Sequence, residues 1–338
     1  MALDARTTAL ATESALPTRQ ATPTTPAPST IPTTIPLATL ADPKVIIDSY
    51  DAFLFDCDGV LWHGDCLVPG AKDVLAALRA HGKTVMFITN NATKSRAEYK
   101  TKFDKLGIAA EPTDIHTSAS ATARYVASVL KLSEQPKSKA YIVGMEGLET
   151  ELRDAGVETI GGSDPAHNPS TTTPPDLTDV RADFDDKVGA VICGLDTRVN
   201  YLKLARAFVY LQDPNVHFVA TNLDATYPHS AGLLPGAGSV SAMLRYSTKR
   251  EPLSIGKPSS AMWDAVRVSS KLPQGRTLMV GDRLDTDIAF GKSGGVGTLL
   301  VLSGKSFQGP SNTRGTDASR KVLPRLQILP PRTPRTTS

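Results

Sequence analysis

The sequence has few cysteines and no long apolar run, and each shortage excludes a class of protein. Three cysteines occur among 338 residues, Cys57, Cys66 and Cys193, an odd number without a regular spacing. We therefore expect no disulfide framework and predict that the chain works in a reducing compartment, the cytoplasm. No stretch approaches the roughly 20 apolar residues that a membrane-spanning helix needs, so no membrane partner is expected.

The part of the chain that is predicted to fold also carries no strong excess of positive or negative charge. The formal net charge is +3, but the segment from Lys305 to the end carries seven basic residues and one acidic residue. Residues 44–304 are therefore slightly acidic, and we expect no basic patch of the kind that binds nucleic acid. A hydrophobic content of 40% and a charged content of 21% fit a globular protein with a sizeable core.

Both ends of the chain have a biased composition. Residues 1–43 are rich in Thr, Pro and Ala without apolar periodicity, which predicts a disordered tail. A transit peptide is the alternative, although this segment has only two basic residues and is not free of acids. Residues 305–338 are rich in Pro and Arg, and proline disrupts both helices and strand ladders, so we predict a second tail without a regular helix or central strand.

Between these ends, short apolar runs alternate with helical segments. Strands are predicted at "AFLFD", "TVMFIT", "TLMVGD" and "GTLLVLS", and helices at segments such as "GAKDVLAALRAHG" and "SRAEYKTKFDKLG". Apolar strands that alternate with helices are typical of a parallel sheet covered on both faces. The sequence therefore predicts the α/β class.

A block of different character, residues 137–251, interrupts this order. It has strands of its own at "AYIVG", "GAVICGLD" and "VHFVATN", and a polar segment at 164–179 that predicts a mobile loop. We interpret the block as a second α/β module inserted into the first, which then comprises 44–136 and 252–304. The helix "NYLKLARAFVYL" is predicted to place five side chains on one face: Tyr201, Leu204, Ala205, Phe208 and Leu211.

Two acids, Asp56 and Asp58, directly follow the strand "AFLF". Like charges repel and burial removes their hydration, so a pair at this position indicates a positive partner. Open α/β sheets bind ligands at the carboxyl ends of their strands, and carboxylate oxygens suit a hard cation. A calcium loop of the EF-hand kind does not fit, because its fifth and twelfth positions would be Val60 and Leu67. A structural ion-pair site remains the other interpretation of the pair.

Two further groups suit a phosphate. Thr89, Asn90 and Asn91 end the run "VMFITNN", and a turn with a hydroxyl and free backbone N–H groups can bind a phosphate oxygen. Lys257 follows "LSIG" and supplies a compact positive charge. Taken singly, these residues also fit a polar turn and a solvated surface lysine.

A fourth group suits a metal. Asp282 ends the run "TLMVGD" and is a candidate ligand for Mg²⁺, and Asp287 is a candidate to orient that ligand. A cation between the acids and the phosphate would remove the repulsion between them. A metal-neutralised carboxylate can then attack phosphorus and form an aspartyl-phosphate. The residues alone leave open which of Asp56 and Asp58 attacks.

The four motifs "DCDGVLW", "FITNN", "GKPS" and "GDRLDTDI", in this order, resemble those of the haloacid dehalogenase superfamily. The stretches "TNNATKSRAEY", "GLDTRVNYLKL", "FVATNLDATYP" and "LLPGAGSVSAML" resemble its 4-nitrophenylphosphatase/phosphoglycolate phosphatase family, particularly the fungal members. The resemblance covers roughly residues 45–304. It implies a Rossmann-like parallel-sheet core with an inserted α/β cap domain at 137–251, and it makes the tail at 305–338 atypical.

The resemblance also implies roles for the motif residues. Asp56 is then the nucleophile, and Asp58 is the general acid and general base. The Mg²⁺ ligands are the Asp56 side chain, the Asp58 backbone carbonyl and Asp282. The phosphoryl group is held by Thr89, Asn90 and Lys257, with Asn91 ordering the turn.

The cap is expected to choose the substrate. In the resembling family a cap residue approaches the leaving group, and its position here is Tyr227, which also fits a packed aromatic. Enzymes selective for pyridoxal phosphate have histidine there, and phosphoglycolate enzymes have an apolar residue. We therefore expect 2-phosphoglycolate, in metabolite clean-up, and 4-nitrophenyl phosphate in vitro.

Three alternatives stay open at this point. The chain could act on another small metabolite such as pyridoxal phosphate, transfer the phosphoryl group as a phosphotransferase or mutase, or bind ligands without catalysis because of its altered C-terminus. The resemblance also implies a homodimer formed through the cap.

Overall fold

The computed structural model of this chain describes residues 38–39, 43–168, 177, 180–181, 184–229, 231–270, 272, 276–304 and 327–329. Most of the predicted loop at 164–179 and most of the two predicted tails lie outside these residues. Within the described part of the chain, no helix is long and apolar enough to cross a membrane.

Strands and helices of the described chain largely alternate, as predicted, and the short hairpins β3–β4 and β11–β12 are additions to that order. The strands are β1 (Ala38–Thr39), β2 (Ala52–Phe55), β3 (Trp62–His63), β4 (Cys66–Leu67), β5 (Thr84–Thr89), β6 (Ile115–Thr117), β7 (Lys139–Val143), β8 (Glu158–Gly161), β9 (Val188–Cys193), β10 (His217–Ala220), β11 (Thr226–His229), β12 (Gly232–Pro235), β13 (Leu253–Ser254), β14 (Thr277–Gly281), β15 (Gly297–Leu300) and β16 (Gln327–Leu329). The α-helices are α1 (Pro43–Ser49), α2 (Ala71–Ala80), α3 (Arg96–Lys105), α4 (Ser118–Arg124), α5 (Glu146–Asp154), α6 (Tyr201–Leu211), α7 (Ala237–Thr248), α8 (Ser260–Ser269) and α9 (Ala289–Ser293). Short π-helical turns extend α4 and precede α9, at Tyr125–Val129 and Leu284–Ile288.

The larger sheet has the strand order β1-β16-β15-β14-β2-β5-β6. The strands from β15 to β6 are parallel, and β2 pairs with β14 on one side and β5 on the other. Helices connect these strands, so the predicted Rossmann-like α/β core is confirmed. Because β14, β2 and β5 are neighbours, the residues that follow them emerge side by side at one edge of the sheet.

The smaller sheet is also parallel and has the order β13-β10-β9-β7-β8. Its last strand, β13, was predicted to belong with the first module, but it pairs with β10 of the inserted block. The N–H groups of Ile255 and Gly256 continue this pairing by donating to Ala220 and Thr221 at 3.0 and 2.7 Å. The chain therefore reaches Lys257 directly from the second sheet.

One apolar cluster joins the two sheets. It contains Leu54 and Ile88 of the larger sheet and Ile142 and Ile192 of the smaller one, with Leu148 of α5 among them. On the other face of the larger sheet, aromatic side chains form a second cluster: Phe53, Phe55, Trp62, Phe87, Tyr99 and Phe103. The strand β2 is buried on both faces, as expected for a central parallel strand.

Each of the two predicted tails contributes a short strand within the described residues, Ala38–Thr39 and Gln327–Leu329. The strand β16 pairs antiparallel with β15, and β1 pairs with β16 at the edge. The prolines of this region surround "QIL" but do not interrupt it, so each residue of β16 keeps the N–H that a ladder needs.

The buried face of α6 also differs from the prediction. Tyr201 is 67% exposed, whereas Leu202, Ala207 and Tyr210 are buried. Lys203 is buried as well, because its ammonium group lies 2.8 Å from the carboxylate of Asp196. Of the predicted face, Leu211 is buried and Leu204 and Phe208 pack partly buried against the core, so the prediction is wrong for Tyr201 and misses the buried Lys203.

Candidate active site

The nucleophile predicted at the end of β2 forms a buried ion pair. The N–H of Asp56 donates to the carbonyl of Val280 at 2.9 Å, which extends the pairing of β2 with β14 by one residue. Lys257 approaches from the other sheet and places Nζ 2.5 Å from Asp56 Oδ1. The same ammonium group donates to the Ile88 carbonyl at 2.9 Å. Asp56 and Lys257 are 8% and 4% exposed, so water screens this pair poorly.

Three carboxylates meet around this ammonium group. Oxygens of Asp56, Asp282 and Asp287 lie within 4.8 Å of one another. Lys257 Nζ is 2.8 Å from Asp287 Oδ1, and Asp287 Oδ2 accepts the backbone N–H groups of Asp282 and Arg283, each at 3.1 Å. Asp287 therefore orients the Asp282 segment, and Lys257 pairs directly with two of the three acids, Asp56 and Asp287.

The charges of the cluster shift the pKa values of its members. Burial raises the pKa of Asp56 well above its ordinary value, and Asp287 and Asp282 add to this although Lys257 opposes it. Burial, followed by the charge of Asp287, raises the pKa of Asp282 to about 7. Burial lowers the pKa of Lys257, but Asp287 and Asp56 together outweigh it and raise that pKa above its ordinary value.

These observations fit a divalent cation. One ammonium group cannot neutralise three carboxylates, and the buried Asp282 Oδ1 has no hydrogen-bond partner among the described residues. Oxygen donors at this spacing are the ligands that Mg²⁺ takes in proteins. Asp56 and Asp282 could hold the ion, with Asp287 positioning Asp282 from behind.

Glycines on two sides leave room for the Asp282 carboxylate. Gly59 has φ of +96°, and a Cβ at this position would lie 2.6 Å from Asp282 Oδ2. A Cβ on Gly304 would overlap the same oxygen. Both the left-handed backbone of Gly59 and the lack of space therefore require glycine beside the candidate metal ligand.

Asp58 lies apart from the three clustered acids. Its Oδ1 accepts the indole N–H of Trp62 at 3.0 Å, and its side chain is half-buried. Trp62 is fully buried, with Tyr99 stacked at 6.4 Å and Lys102 Nζ 4.3 Å from its ring centre. The indole thus fixes the Asp58 side chain separately, which distinguishes the two acids of the "DCD" motif in position.

The turn after β5 is ordered by its own side chains. The hydroxyl of Thr89 accepts the N–H of Asn91 at 3.1 Å. Asn91 Oδ1 in turn accepts both the N–H and the hydroxyl of Thr93 at 2.8 Å. Thr89 is 2% exposed and stands at the end of the strand next to β2, as the sequence predicts.

The side chain of Asn90 contacts the backbone of Lys257. Its Oδ1 accepts the N–H of Lys257 at 2.7 Å, and its Nδ2 donates to the carbonyl of Lys257 at 3.0 Å. Nδ2 also donates to Asp224 Oδ2 at 3.0 Å. Both protons of the amide are used, so only the backbone N–H of Asn90 is left for the predicted contact with a phosphoryl group, which stays a prediction.

Several residues at this site were missed by sequence reasoning. Asn222 and Asp224 follow β10, and Arg283 follows Asp282; the Asn222 amide donates to the Asn90 carbonyl at 2.7 Å. The available signal was "ATNLD", which repeats the pattern of polar residues after a strand. Tyr227 lies farther along, half-buried in the β11–β12 hairpin with its ring 6.2 Å from that of His229.

Comparisons with known proteins agree with this geometry. The haloacid dehalogenase-like hydrolase family model matches residues 53–158, and the HAD-hydrolase-like model matches 254–327. The chain is 44% identical to the 4-nitrophenylphosphatase of Schizosaccharomyces pombe, over 80% of this chain and 89% of that protein. The chain belongs to the haloacid dehalogenase-like hydrolase family.

Other members of the haloacid dehalogenase-like family carry related names. Phosphoglycolate phosphatase 1A of Arabidopsis thaliana is 42% identical over 78% of this chain and 72% of that protein. The crystal structure of a glycerol phosphate phosphatase from Mycobacterium tuberculosis with magnesium is 31% identical, has a TM-score of 0.63, and covers 77% of this chain and 70% of that one. The predicted family is confirmed, and the chain is a phosphoric monoester hydrolase.

Proposed function

We propose that this phosphatase hydrolyses small phosphomonoesters with Mg²⁺, through an aspartyl-phosphate on Asp56, and that 2-phosphoglycolate is its main substrate. The observation that carries the proposal is the buried cluster of Asp56, Lys257, Asp282 and Asp287 at the carboxyl edge of the larger sheet. A cluster that is short of positive charge binds a cation, and the cation and the lysine together can bind a phosphate dianion.

In the first step, an oxygen of Asp56 attacks phosphorus and the bond from phosphorus to the substrate oxygen breaks. Asp58 donates its proton to the departing oxygen, so the product leaves as an alcohol. Asp58 lies apart from the other acids, where the Trp62 indole holds it, and this position supports separate roles for Asp56 as nucleophile and Asp58 as proton donor. Bound Mg²⁺ would supply the charge neutralisation that lets two anions approach each other.

In the second step, the ionised Asp58 takes a proton from water as the water oxygen attacks phosphorus. The bond from phosphorus to Asp56 breaks, inorganic phosphate leaves and both aspartates return to their starting states. Lys257 neutralises negative charge on the phosphoryl oxygens throughout, and the Thr89 hydroxyl and the backbone N–H of Asn90 donate hydrogen bonds to them.

The substrate assignment rests on the names of relatives. The resemblance to the Arabidopsis phosphoglycolate phosphatase favours 2-phosphoglycolate, and the Mycobacterium tuberculosis structure makes glycerol phosphate the second candidate. Tyr227 remains our proposed contact to the leaving group.

Release of nitrophenolate from 4-nitrophenyl phosphate tests the reaction. We expect turnover with Mg²⁺, loss of turnover after chelation by EDTA and recovery when Mg²⁺ is restored. Asp56→Asn is expected to abolish turnover while keeping the fold. Normal activity of the Asp56→Asn variant would overturn the nucleophile assignment.

A panel of phosphorylated metabolites tests the substrate. We expect kcat/KM to be highest for 2-phosphoglycolate, above glycerol phosphate, pyridoxal phosphate and 4-nitrophenyl phosphate. The variants Tyr227→Phe and Tyr227→His then test whether the residue at position 227 determines the order of kcat/KM among these substrates. A ranking in which phosphoglycolate is no better than 4-nitrophenyl phosphate would reject this substrate.

We also propose that the phosphatase forms a homodimer through its inserted block. Large apolar side chains on this block are exposed, among them Tyr201, Leu233 and Tyr246, at 66–79%. Exposed apolar groups of this kind are a common feature of protein–protein contacts. Sedimentation of the full chain should give a dimer, and Tyr246→Glu should shift it towards monomer.

A further inference from the structure

The loop after β10 reaches from the second sheet into the active site. Thr221 accepts the N–H of Gly256 at 2.7 Å, and Asn222 donates to the Asn90 carbonyl at 2.7 Å. The Asn222 side chain also accepts the N–H of Asp224 at 3.0 Å, which fixes the start of the loop. These contacts place the carboxylate of Asp224 between two parts of the catalytic cluster.

One oxygen of Asp224 controls the orientation of the Asn90 amide. A carboxylate only accepts hydrogen bonds, so the NH₂ end of the amide must face Asp224 Oδ2, at 3.0 Å. The oxygen of the amide must then face the N–H of Lys257. A Cβ on Gly256 would lie 2.7 Å from this amide oxygen, so the fit leaves little freedom.

The other oxygen of Asp224 reaches the metal-ligand side of the cluster. Asp224 Oδ1 lies 3.3 Å from an NH group of Arg283, whose guanidinium also pairs with Asp285 at 2.7 Å. Arg283 is the neighbour of Asp282 in the chain, and its N–H donates to Asp287. A single carboxylate therefore contacts both Asn90, which holds the Lys257 backbone, and Arg283, the neighbour of Asp282.

We propose that Asp224 is a positioning residue for the phosphatase reaction: it fixes the Asn90 amide that holds the Lys257 backbone, and it anchors Arg283 beside Asp282. The proposal rests on the proposed function, since it requires that Lys257 and Asp282 act on the phosphoryl group. Asp224 does not touch the substrate in this scheme. Its loop belongs to the block that carries Tyr227, so the same segment aligns the catalytic groups and approaches the leaving group.

The test compares Asp224→Ala, which removes both contacts, with Asp224→Asn, whose side-chain oxygen can still accept from the Asn90 amide. Residues that orient catalytic groups typically contribute about 10- to 100-fold to activity. We expect kcat of Asp224→Ala to fall by about tenfold or more, and Asp224→Asn to recover most of the loss. Asp104→Ala, which removes an exposed ion pair with Lys100 on α3, is the matched control.

Two substrates separate positioning from recognition of the leaving group. Because Asp224 acts on groups that bind the phosphoryl moiety, its loss should lower kcat by the same factor for 4-nitrophenyl phosphate and for 2-phosphoglycolate. A loss confined to one substrate would mean that Asp224 contacts the leaving group, and this would overturn the proposal. Unchanged kcat for a folded Asp224→Ala variant would overturn it too.

If Asp224→Ala folds poorly, variants that exchange the side chains of Asn90 and Asp224 still test the contact between them. Asn90→Asp places two carboxylates face to face and should lower kcat, whereas Asn90→Asp combined with Asp224→Asn restores a donor–acceptor pair and should recover part of it. Failure of the double variant to exceed the Asn90→Asp single variant would count against the contact. The wild-type protein is assayed first, since its inactivity towards both substrates would reject the proposed function itself.

Discussion

Lys257 and Asp56 form an ion pair of 2.5 Å across 201 positions of the chain. The lysine arrives from a strand of the smaller sheet and the aspartate from a strand of the larger sheet. The proposed phosphate-binding group and the proposed nucleophile are therefore in contact, and the packing of the two sheets brings them together.

Replacing this lysine should damage both activity and stability. Lys257→Met leaves Asp56 and Asp287 without their buried cation, and such a loss typically costs about 3–5 kcal/mol. We expect the free energy of unfolding in urea, measured with EDTA, to fall by about this amount. Turnover of 4-nitrophenyl phosphate should become undetectable or nearly so.

A surface lysine provides the control for that experiment. Lys100→Met removes an exposed pair with Asp104, and surface pairs contribute only about 0–1 kcal/mol. Equal stability losses in the two variants would contradict the view that Lys257 neutralises a buried acidic cluster.

Substitution of the two acids of the "DCD" motif should impair the reaction at different steps. Asp58→Asn removes the proposed proton donor and acceptor but keeps the proposed nucleophile, Asp56. Nitrophenolate is a good leaving group, so the first step survives and one equivalent is released quickly, followed by slow turnover. Stopped-flow absorbance measures this burst, and its absence together with unchanged steady-state turnover would contradict the role of Asp58.

A buried glutamate between α3 and α5 should stabilise the contact of these helices. Glu151 is 2% exposed, accepts the backbone N–H of Arg96 at 2.6 Å and pairs with its guanidinium at 2.9 Å. Because Arg96 is partly exposed, we expect Glu151→Ala to lower the free energy of unfolding by about 1–3 kcal/mol. The exposed pair of Lys131 and Glu134 supplies the control, and Glu134→Ala should change stability by less than about 0.5 kcal/mol.

A buried histidine should make stability fall in acid. Burial, and then the charges of Arg96 and Arg124, lower the pKa of His116 from 6.5 to about 4. The unfolded chain therefore binds this proton more tightly, so the contribution of His116 is complete above pH 6.5 and is lost as the pH falls towards 4. Between pH 7 and 4.5 the loss from this group amounts to about 2 kcal/mol.

Urea unfolding at those two pH values measures the effect. In His116→Gln the difference in unfolding free energy between them should shrink by about 2 kcal/mol relative to the wild type. A difference of the same size in both proteins would show that other groups cause the acid sensitivity. Since the buried His116 Nε2 has no hydrogen-bond partner in the part of the chain that the structure describes, the substitution removes no hydrogen bond seen there.

Much of the site was predictable because it is built from strand ends. Asp56, Thr89 and Asp282 each follow an apolar run, and parallel strands align their carboxyl ends at one edge. The sequence therefore predicted their proximity without any knowledge of tertiary contacts. Their catalytic roles stay predictions.

Other features could not be predicted from local patterns. The contact of Asp224 with Asn90 joins residues 134 positions apart, and the contact of Lys257 with Asp56 depends on how the second sheet packs on the first. The burial of Lys203 in α6 likewise depends on its distant partner Asp196. Apolar periodicity indicates which face of a segment packs against the core, but it does not indicate which polar side chains contact each other.

The sequence by itself determined the fold class, the family and the edge of the sheet where the candidate site lies, because strand ends and motif order are local properties. Only the tertiary structure decided that Asn90 holds Lys257, that Trp62 sets Asp58 apart, and that Asp224 links both halves of the cluster. Hydrogen bonds and buried ion pairs need donor and acceptor within about 3 Å, and only the packing of the two sheets establishes such distances between remote segments.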